Sequence, residues 1–116
     1  QKLIEMKINT HDNFVVVKEN SNDLENFVFL LKPLLSFQLK DKNLIIDLLD
    51  NKLMSLKDLL LFQNISDAYK VANKSFVIVN DALNANSLPE EIIVVPTLQE
   101  AEDMIEIEEI ERELEF

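Results

Sequence analysis

Few side chains in this sequence could make or break covalent bonds. His11 is the only histidine and the chain has no cysteine, which excludes thiolate chemistry, disulfides and cysteine-type zinc sites. No serine or second histidine lies beside His11 in the sequence, which favours a turn residue over a catalytic base. Glycine is also absent, and phosphate-binding loops and nucleophile elbows depend on it. We therefore expect a protein that is not an enzyme and that needs no cofactor or metal.

Three carboxylates and one serine are the remaining candidates for chemistry. Asp47, Asp50 and Asp58 could gather around a divalent cation, because carboxylate oxygens are ligands that such ions prefer. We prefer loop and helix-cap roles for them. Ser55 followed by Asp58 resembles a capping box at a helix start. Ser55 is also a candidate phosphosite, but Asp58 would repel a phosphate there, so the cap is the preferred interpretation.

The charge of the chain favours a protein partner. The net charge is −11, and residues 97–116 contribute nine acidic side chains and one basic one. An acidic surface repels phosphate backbones and anionic lipid, so nucleic acid and membranes are poor partners and a basic protein is a suitable one. Acidity that serves solubility alone is an equally open interpretation. The sequence shows no membrane-spanning apolar run and no signal peptide, so we expect a cytoplasmic location.

The apolar pattern predicts an α/β domain. Two short strands around a turn at residues 11–13 predict an N-terminal hairpin. Three buried strands then alternate with helices, which predicts right-handed crossovers and a mostly parallel sheet with about four helices. Pro33 should kink the first helix or end it at Lys32. Strands are predicted at residues 7–10, 14–18, 44–49, 75–80 and 92–95, and helices at 24–35, 55–72, within 81–89 and from 98 onward.

The order and spacing of these elements resemble the STAS domain, the fold of bacterial anti-sigma factor antagonists. Residues 43–48 look like the central strand of that family, residues 74–80 like the strand after its long helix, and residues 94–101 like its closing strand and last helix. The resemblance implies a protein-interaction module in transcription regulation, with an anti-sigma factor or a regulatory kinase as partner. We divide the chain into residues 1–5, an extension that is natural or added and precedes a candidate start at Met6; residues 6–105, the STAS-like domain; and residues 106–116, an acidic helical extension.

The sequence departs from the family at its switch. Family members carry Asp-Ser-Ser-Gly or a close variant at the start of the long helix, where a kinase phosphorylates the first serine. In this chain Leu56 replaces the expected serine, Asp58 replaces the glycine, and Ser55 lies one position early. We therefore predict that the usual phospho-switch is lost.

The resemblance places the partner-binding edge around the start of the same helix. The alternative is that the apolar residues among them only cap the core. The unbroken apolar run at residues 59–62 predicts that at least one of its side chains points outward, because a helix on a sheet buries one stripe. The predicted binding residues are Leu53, Met54, Ser55, Leu56, Lys57 and Asp58.

A different function stays open for the acidic C-terminal segment. The chain could be an adaptor or accessory subunit of an enzyme complex, docking its acidic helix on a basic surface. Residues 108–114 resemble an extension found on STAS-like proteins that can be associated with, or labelled as, ribonuclease Z. The chain cannot be that two-zinc hydrolase itself, because His11 is its only histidine.

Overall fold

The computed structural model describes residues 6–19, 23–37, 39, 41–83 and 85–115; residues 1–5 and Phe116 lie outside that part of the chain. Its first strands, β1 (Met6–Thr10) and β2 (Phe14–Glu19), pair antiparallel. His11 lies in the turn between them, where its backbone N–H donates to the carbonyl oxygen of Phe14 over 2.8 Å. The predicted hairpin is confirmed.

Three further strands continue the sheet in parallel: β3 (Asn43–Asp47), β4 (Phe76–Val79) and β5 (Ile93–Val95), giving the order β1-β2-β3-β4-β5. Every residue of β3 and β4 is buried, because structure covers both faces of these strands. This explains why their sequences are continuous apolar runs. The expectation of a third buried strand is wrong for β5, whose residues are half-buried because it pairs with β4 alone.

The helices form two layers, one on each face of the sheet. Neighbouring parallel strands joined by right-handed crossovers place all the crossovers on one face. On that face lies the larger core cluster, which includes Leu44 and Ile46 of β3. The opposite face carries Ile45 and is covered by the helix that follows β5. The helices are α1 (Leu24–Phe37), α2 (Leu56–Leu59), α3 (Gln63–Val71) and α4 (Leu98–Leu114), with 3₁₀ turns at Leu60–Phe62 and Ala85–Ser87.

Helix α1 continues through Pro33 and ends at Phe37, so of the two predicted effects of Pro33, the end of the helix at Lys32 is wrong. Proline removes the N–H that would bond the carbonyl of Phe29, one turn earlier. Both Phe29 and Pro33 lie on the solvent side of α1, where water can bond that carbonyl. The buried side chain of Leu31 holds the helix to the core across this position.

The predicted long helix is present, but it changes type in its middle. The 3₁₀ turn between α2 and α3 changes the directions in which the side chains of residues 59–62 point. Leu59 and Phe62 are fully buried, whereas Leu60 is 57% exposed. The expectation of an outward-pointing side chain in this run is confirmed. Asn73 ends α3 in the left-handed region, with φ of 58°, where its N–H bonds the carbonyl of Lys70. In a chain without glycine, asparagine takes this helix-ending position.

Helix α4 begins at Leu98, as predicted, and Thr97 is its N-cap, although the cap is not a complete capping box. The Thr97 hydroxyl oxygen accepts from the backbone N–H of Glu100 over 3.1 Å. The Glu100 carboxylate accepts from that hydroxyl rather than from the Thr97 backbone. The helix then runs unbroken past residue 105, so the predicted boundary at 105/106 falls inside α4. Within the described ranges, no helix combines the length and the apolar character needed to cross a bilayer.

The two phenylalanines of α1 offer a matched test of this packing. Phe27 is fully buried between the sheet and the long helix, whereas Phe29 is 72% exposed. We expect Phe27→Ala to lower the free energy of unfolding by about 3–5 kcal/mol, because it leaves a cavity in the core. Phe29→Ala should change it by less than about 0.5 kcal/mol. Urea unfolding followed by circular dichroism measures both, and equal losses would contradict the placement of α1.

Candidate functional site

The predicted binding residues lie at the carboxyl end of the sheet, where the chain leaves β3 and enters α2. Two backbone bonds shape this connection: Leu48 N–H to the Val79 carbonyl over 2.9 Å, and Asn51 N–H to the Leu48 carbonyl over 3.0 Å. In open α/β sheets, sites gather outside the carboxyl ends of the strands. The connection is therefore in the position expected for a functional surface.

Asn80 fixes this connection from the neighbouring strand. Its side chain is 3% exposed, and its Nδ2 donates to the carbonyls of Leu48 over 2.9 Å and of Asn51 over 3.0 Å. Its Oδ1 accepts from the backbone N–H of Ala82 over 2.9 Å. The nitrogen of this amide is therefore bonded to the loop after β3, and its oxygen to the loop after β4. Asn80 holds the loops after β3 and β4 against each other.

The start of α2 is held by a complete capping box, as the sequence predicts. Ser55 Oγ accepts from the backbone N–H of Asp58 over 3.2 Å, and Asp58 Oδ2 accepts from the backbone N–H of Ser55 over 3.0 Å. The pair satisfies two backbone donors that a helix start otherwise leaves to water. Ser55 therefore has a structural role one position before the place where the STAS resemblance puts the switch serine.

The apolar residues around this cap divide between surface and core. Leu53 is 92% exposed and Leu56 is 41% exposed, and Leu60, one turn further, is also largely exposed. Met54 is 5% exposed and packs in the larger core cluster, so it is not part of the exposed surface. Lys57 is exposed beside them. We call the surface formed by Leu53, Leu56, Lys57 and Leu60 the α2 edge.

The three carboxylates considered as a cation site have separate structural roles. Asp47 Oδ1 accepts from the backbone N–H of Leu49 over 3.1 Å, and Asp50 pairs with Lys18 at 3.5 Å. Asp58 completes the α2 cap. Among the residues that the structure describes, no three acidic or histidine side chains come close enough to hold a metal ion. The preferred loop and cap interpretation accounts for all three.

His11 is an exposed turn residue in the structure. Its ring stacks on that of Phe14, with centroids 4.5 Å apart and planes inclined by 23°. It lies at the amino end of the parallel strands, away from the α2 edge. The contact orders the hairpin turn.

At the amino end of the sheet, a polar network that sequence analysis did not identify joins α4 to β3. Asn43 is 1% exposed; its Nδ2 donates to Glu109 Oε1 over 2.6 Å, and its Oδ1 accepts from the backbone N–H of Ser75 over 2.7 Å. Arg112 reaches Ser75 Oγ over 3.1 Å and Glu109 Oε1 over 3.1 Å. The hydrogen bond from Asn43, followed by those from Arg112, lowers the pKa of Glu109. Polar side chains thus fix the second half of α4.

A groove of about 460 Å³ separates the second half of α1 from α3. Tyr69 forms part of its wall and packs against Phe76, with ring centroids 5.6 Å apart. Burial raises the pKa of Tyr69 to about 12, so it stays neutral. The groove is lined by Lys32, Leu35, Ser36, Asp41, Lys42, Asn64, Ile65, Ala68, Tyr69, Ala72 and Lys74.

Comparison with known proteins identifies the fold. No protein-family model matches the chain, and no curated protein matches it. A solved structure that is similar is a serine-to-glutamate variant of RsbS from Moorella thermoacetica, with a TM-score of 0.65, 16% identical residues, and coverage of 88% of this chain and 95% of that one. RsbS is a STAS-domain anti-sigma factor antagonist. The chain has the STAS fold. At this level of identity the likeness concerns the fold alone.

The STAS fold was recognisable from the sequence, whereas two of the residues that fix its ends were not. Asn80 and Asn43 were expected only as strand ends or loop residues. The available signal was an asparagine directly at the end of an apolar strand, since such an amide needs partners once it is buried. Their partners lie about 30 to 70 residues away in the sequence, which hides the contacts from local patterns.

Exchanging the side-chain amide of Asn80 for a carboxylate tests whether Asn80 fixes the backbone of the α2 edge. Asn80→Asp puts a carboxylate oxygen against the carbonyls of Leu48 and Asn51, where an amide donor now lies. We expect a loss of about 2 kcal/mol or more in the free energy of unfolding, and faster hydrogen exchange at residues 48–55. Asn9→Asp, at an exposed position of β1, is the matched control and should change neither. Unchanged exchange at residues 48–55 would contradict this role.

The Glu109 network predicts a pH dependence of stability. Its pKa is lowered from the ordinary value of 4.5, so the contribution of Glu109 is present above that pH and is lost as the pH falls through the folded-state pKa. Wild type should therefore be more stable than Glu109→Gln near neutral pH, and the gap should narrow between about pH 5 and pH 3. Urea unfolding across this range measures it. The control Glu111→Gln, at an exposed position of α4, should show no such trend; a constant gap for Glu109→Gln would contradict the network.

Proposed function

We propose that the chain is a non-catalytic protein-interaction module that binds its partner through the α2 edge. The observation that carries this proposal is the exposure of Leu53 and Leu56 on a connection whose backbone is fixed by Asn80 and by the capping box. Leucines held outward on a fixed backbone lose little conformational freedom when a partner covers them. Covering Leu53, which is 92% exposed, contributes about 1.5–3 kcal/mol, and covering Leu56, which is 41% exposed, contributes proportionately less.

The proposed mechanism does not use the serine switch of anti-sigma factor antagonists. Ser55 and Asp58 cap α2 reciprocally, so a phosphate on Ser55 would break the cap and face the Asp58 carboxylate. Leu56 takes the position of the serine that the family phosphorylates, and it contributes to the apolar surface instead. Binding is then constitutive or is controlled by another means.

The partner we propose is a regulatory protein, with an anti-sigma factor or a regulatory kinase as the expected class. The support is the STAS fold shared with RsbS, an anti-sigma factor antagonist. The setting that goes with this proposal is the bacterial cytoplasm and transcription regulation. In this role residues 6–105 supply the binding domain, and the acidic segment at residues 106–116 begins inside α4.

A second candidate function is supported by the outer face of α4. Ile107, Ile110 and Leu114 are about half or more exposed there, and exposed glutamates flank them. An adaptor or accessory subunit of an enzyme complex, such as one that contains ribonuclease Z, would dock this face on a basic surface. Binding of that kind weakens steeply as the ionic strength rises, because screening reduces the attraction between the charges.

A pair of aspartate variants tests the α2 edge. Tagged wild type, Leu56→Asp and the control Val71→Asp are used to capture proteins from a lysate of the source cells, followed by mass spectrometry. Val71 is 87% exposed at the far end of α3, so its variant has the same charge change away from the edge. The captured protein is then purified and titrated by calorimetry. We expect at least about tenfold weaker binding for Leu56→Asp and unchanged binding for Val71→Asp.

Three outcomes would contradict the proposal. If Leu56→Asp binds as wild type does, while Glu111→Lys loses binding and the affinity falls steeply with salt, the adaptor function is supported instead. If the spectra of wild type show stoichiometric phosphate on Ser55, control by the serine is retained despite the altered motif. Turnover of a substrate by the pure protein would contradict the non-catalytic role.

A further inference from the structure

The groove between α1 and α3 differs in charge from the rest of the protein. Its walls are mainly apolar, and Lys32, Lys42 and Lys74 lie on its rim against a single carboxylate, Asp41. The chain as a whole carries −11. An apolar groove with a basic rim selects an apolar segment with acidic flanks.

The three lysines are held differently. Lys42 Nζ donates to the backbone carbonyls of His11 over 2.9 Å and of Asp12 over 3.4 Å, which keeps its charge at one end of the groove. Lys74 lies near the Glu109 carboxylate as well as the groove. Lys32 makes no ion pair with the residues that the structure describes. At least Lys32 can therefore turn toward an acidic segment without breaking an existing contact.

Helix α4 presents a segment with the complementary chemistry. Ile107, Ile110 and Leu114 follow each other at helical spacing and are 51%, 49% and 68% exposed. Exposed Glu106 and Glu111 lie on the two sides of this apolar stripe. We call the three apolar residues the α4 stripe. They span about 10 Å along the helix, at about 1.5 Å per residue.

We propose that the α4 stripe of one molecule docks in the α1/α3 groove of a second copy of this chain. A single molecule cannot make this contact with itself, because the groove lies on the face of the sheet that α1 and α3 cover and α4 lies on the opposite face. The contact joins two different surfaces, so two molecules in contact still have one free stripe and one free groove between them. Repeated contacts build an open chain or a ring.

This contact is independent of the proposed function, because it uses a different part of the molecule. The groove and the second half of α4 lie at the amino end of the parallel strands, near Asn43 and Ser75. The α2 edge lies at the carboxyl end. Assembly through the groove therefore leaves every α2 edge open to a partner, and Leu56→Asp should not affect assembly.

The net charge sets the conditions in which assembly is measured. Two molecules that each carry −11 repel each other, which opposes the local attraction between the lysine rim and the glutamates. The contact is thus expected at high protein concentration and at moderate salt, where the long-range repulsion is screened. Measurements must scan the concentration of the protein.

Two variants that each disable one surface provide the test. Ile110→Asp disrupts the α4 stripe, and Ala68→Glu places an acidic side chain in the groove; both residues are exposed, which favours normal folding. Lys32→Glu replaces Ala68→Glu if the latter does not fold, as judged by urea unfolding. Val71→Asp is the control, because Val71 is exposed on α3 but does not line the groove. Sedimentation velocity over a range of concentrations measures the mass.

The expected result is specific to contacts between two different surfaces. Wild type and Val71→Asp should grow in mass with concentration, beyond a dimer, whereas each of the two variants alone should stay monomeric. An equal mixture of the two variants should form a dimer and stop there, since it contains one intact stripe and one intact groove per pair.

Four results would overturn the proposal. The first is wild type that stays monomeric over the whole range, and the second is a mixture of the two variants that stays monomeric. The third is a small anionic amphiphile retained by wild type and lost from Ala68→Glu in native mass spectrometry, which would assign the groove to that ligand. Loss of assembly in Leu56→Asp would place the contact at the α2 edge instead.

Discussion

The complete burial of β3 and β4 is the constraint on which the rest of the structure depends. Strands covered on both faces must satisfy the polar groups of the chain wherever it enters and leaves them, without help from water. An asparagine meets this need at each end: Asn43 where the chain enters β3, and Asn80 where it leaves β4. One amide fixes α4 and the other fixes the connection into α2. The two ends of the sheet therefore differ in what they hold in place.

Much of this architecture could be predicted from the sequence, because its signals are local. Strands buried on both faces read as short apolar runs, and the hairpin and the helix caps depend on residues within a few positions of each other. The Ser55 and Asp58 capping box is such a case, and so is the start of α4 at Thr97. The STAS resemblance added the fold, which local patterns do not determine.

The features that the sequence did not reveal depend on contacts between residues far apart in the chain, or on which side of a helix or loop a residue lies. Leu53 and Met54 are adjacent apolar residues, yet Leu53 is exposed and Met54 is buried, because the packing of the loop determines which of them faces the core. The bond between Arg112 and Asn43 joins residues 69 positions apart. Pro33 was expected to kink α1 or to end it at Lys32, because sequence rules describe an average helix. The position of Pro33 on the water side, opposite the buried Leu31, allows the helix to continue.

The position of α4 in the chain has a consequence for synthesis. This helix follows all five strands, and it covers the face of the sheet that carries Ile45, Val77 and Val79. A chain that leaves the ribosome from its amino end can complete the sheet and the α1/α3 layer before α4 has emerged. During that interval the uncovered face is an apolar surface open to chaperones and to other nascent chains. Once α4 has emerged, its buried Ala101 and Ile105 cover this face, and the contacts of Asn43 and Arg112 with Glu109 fix its second half.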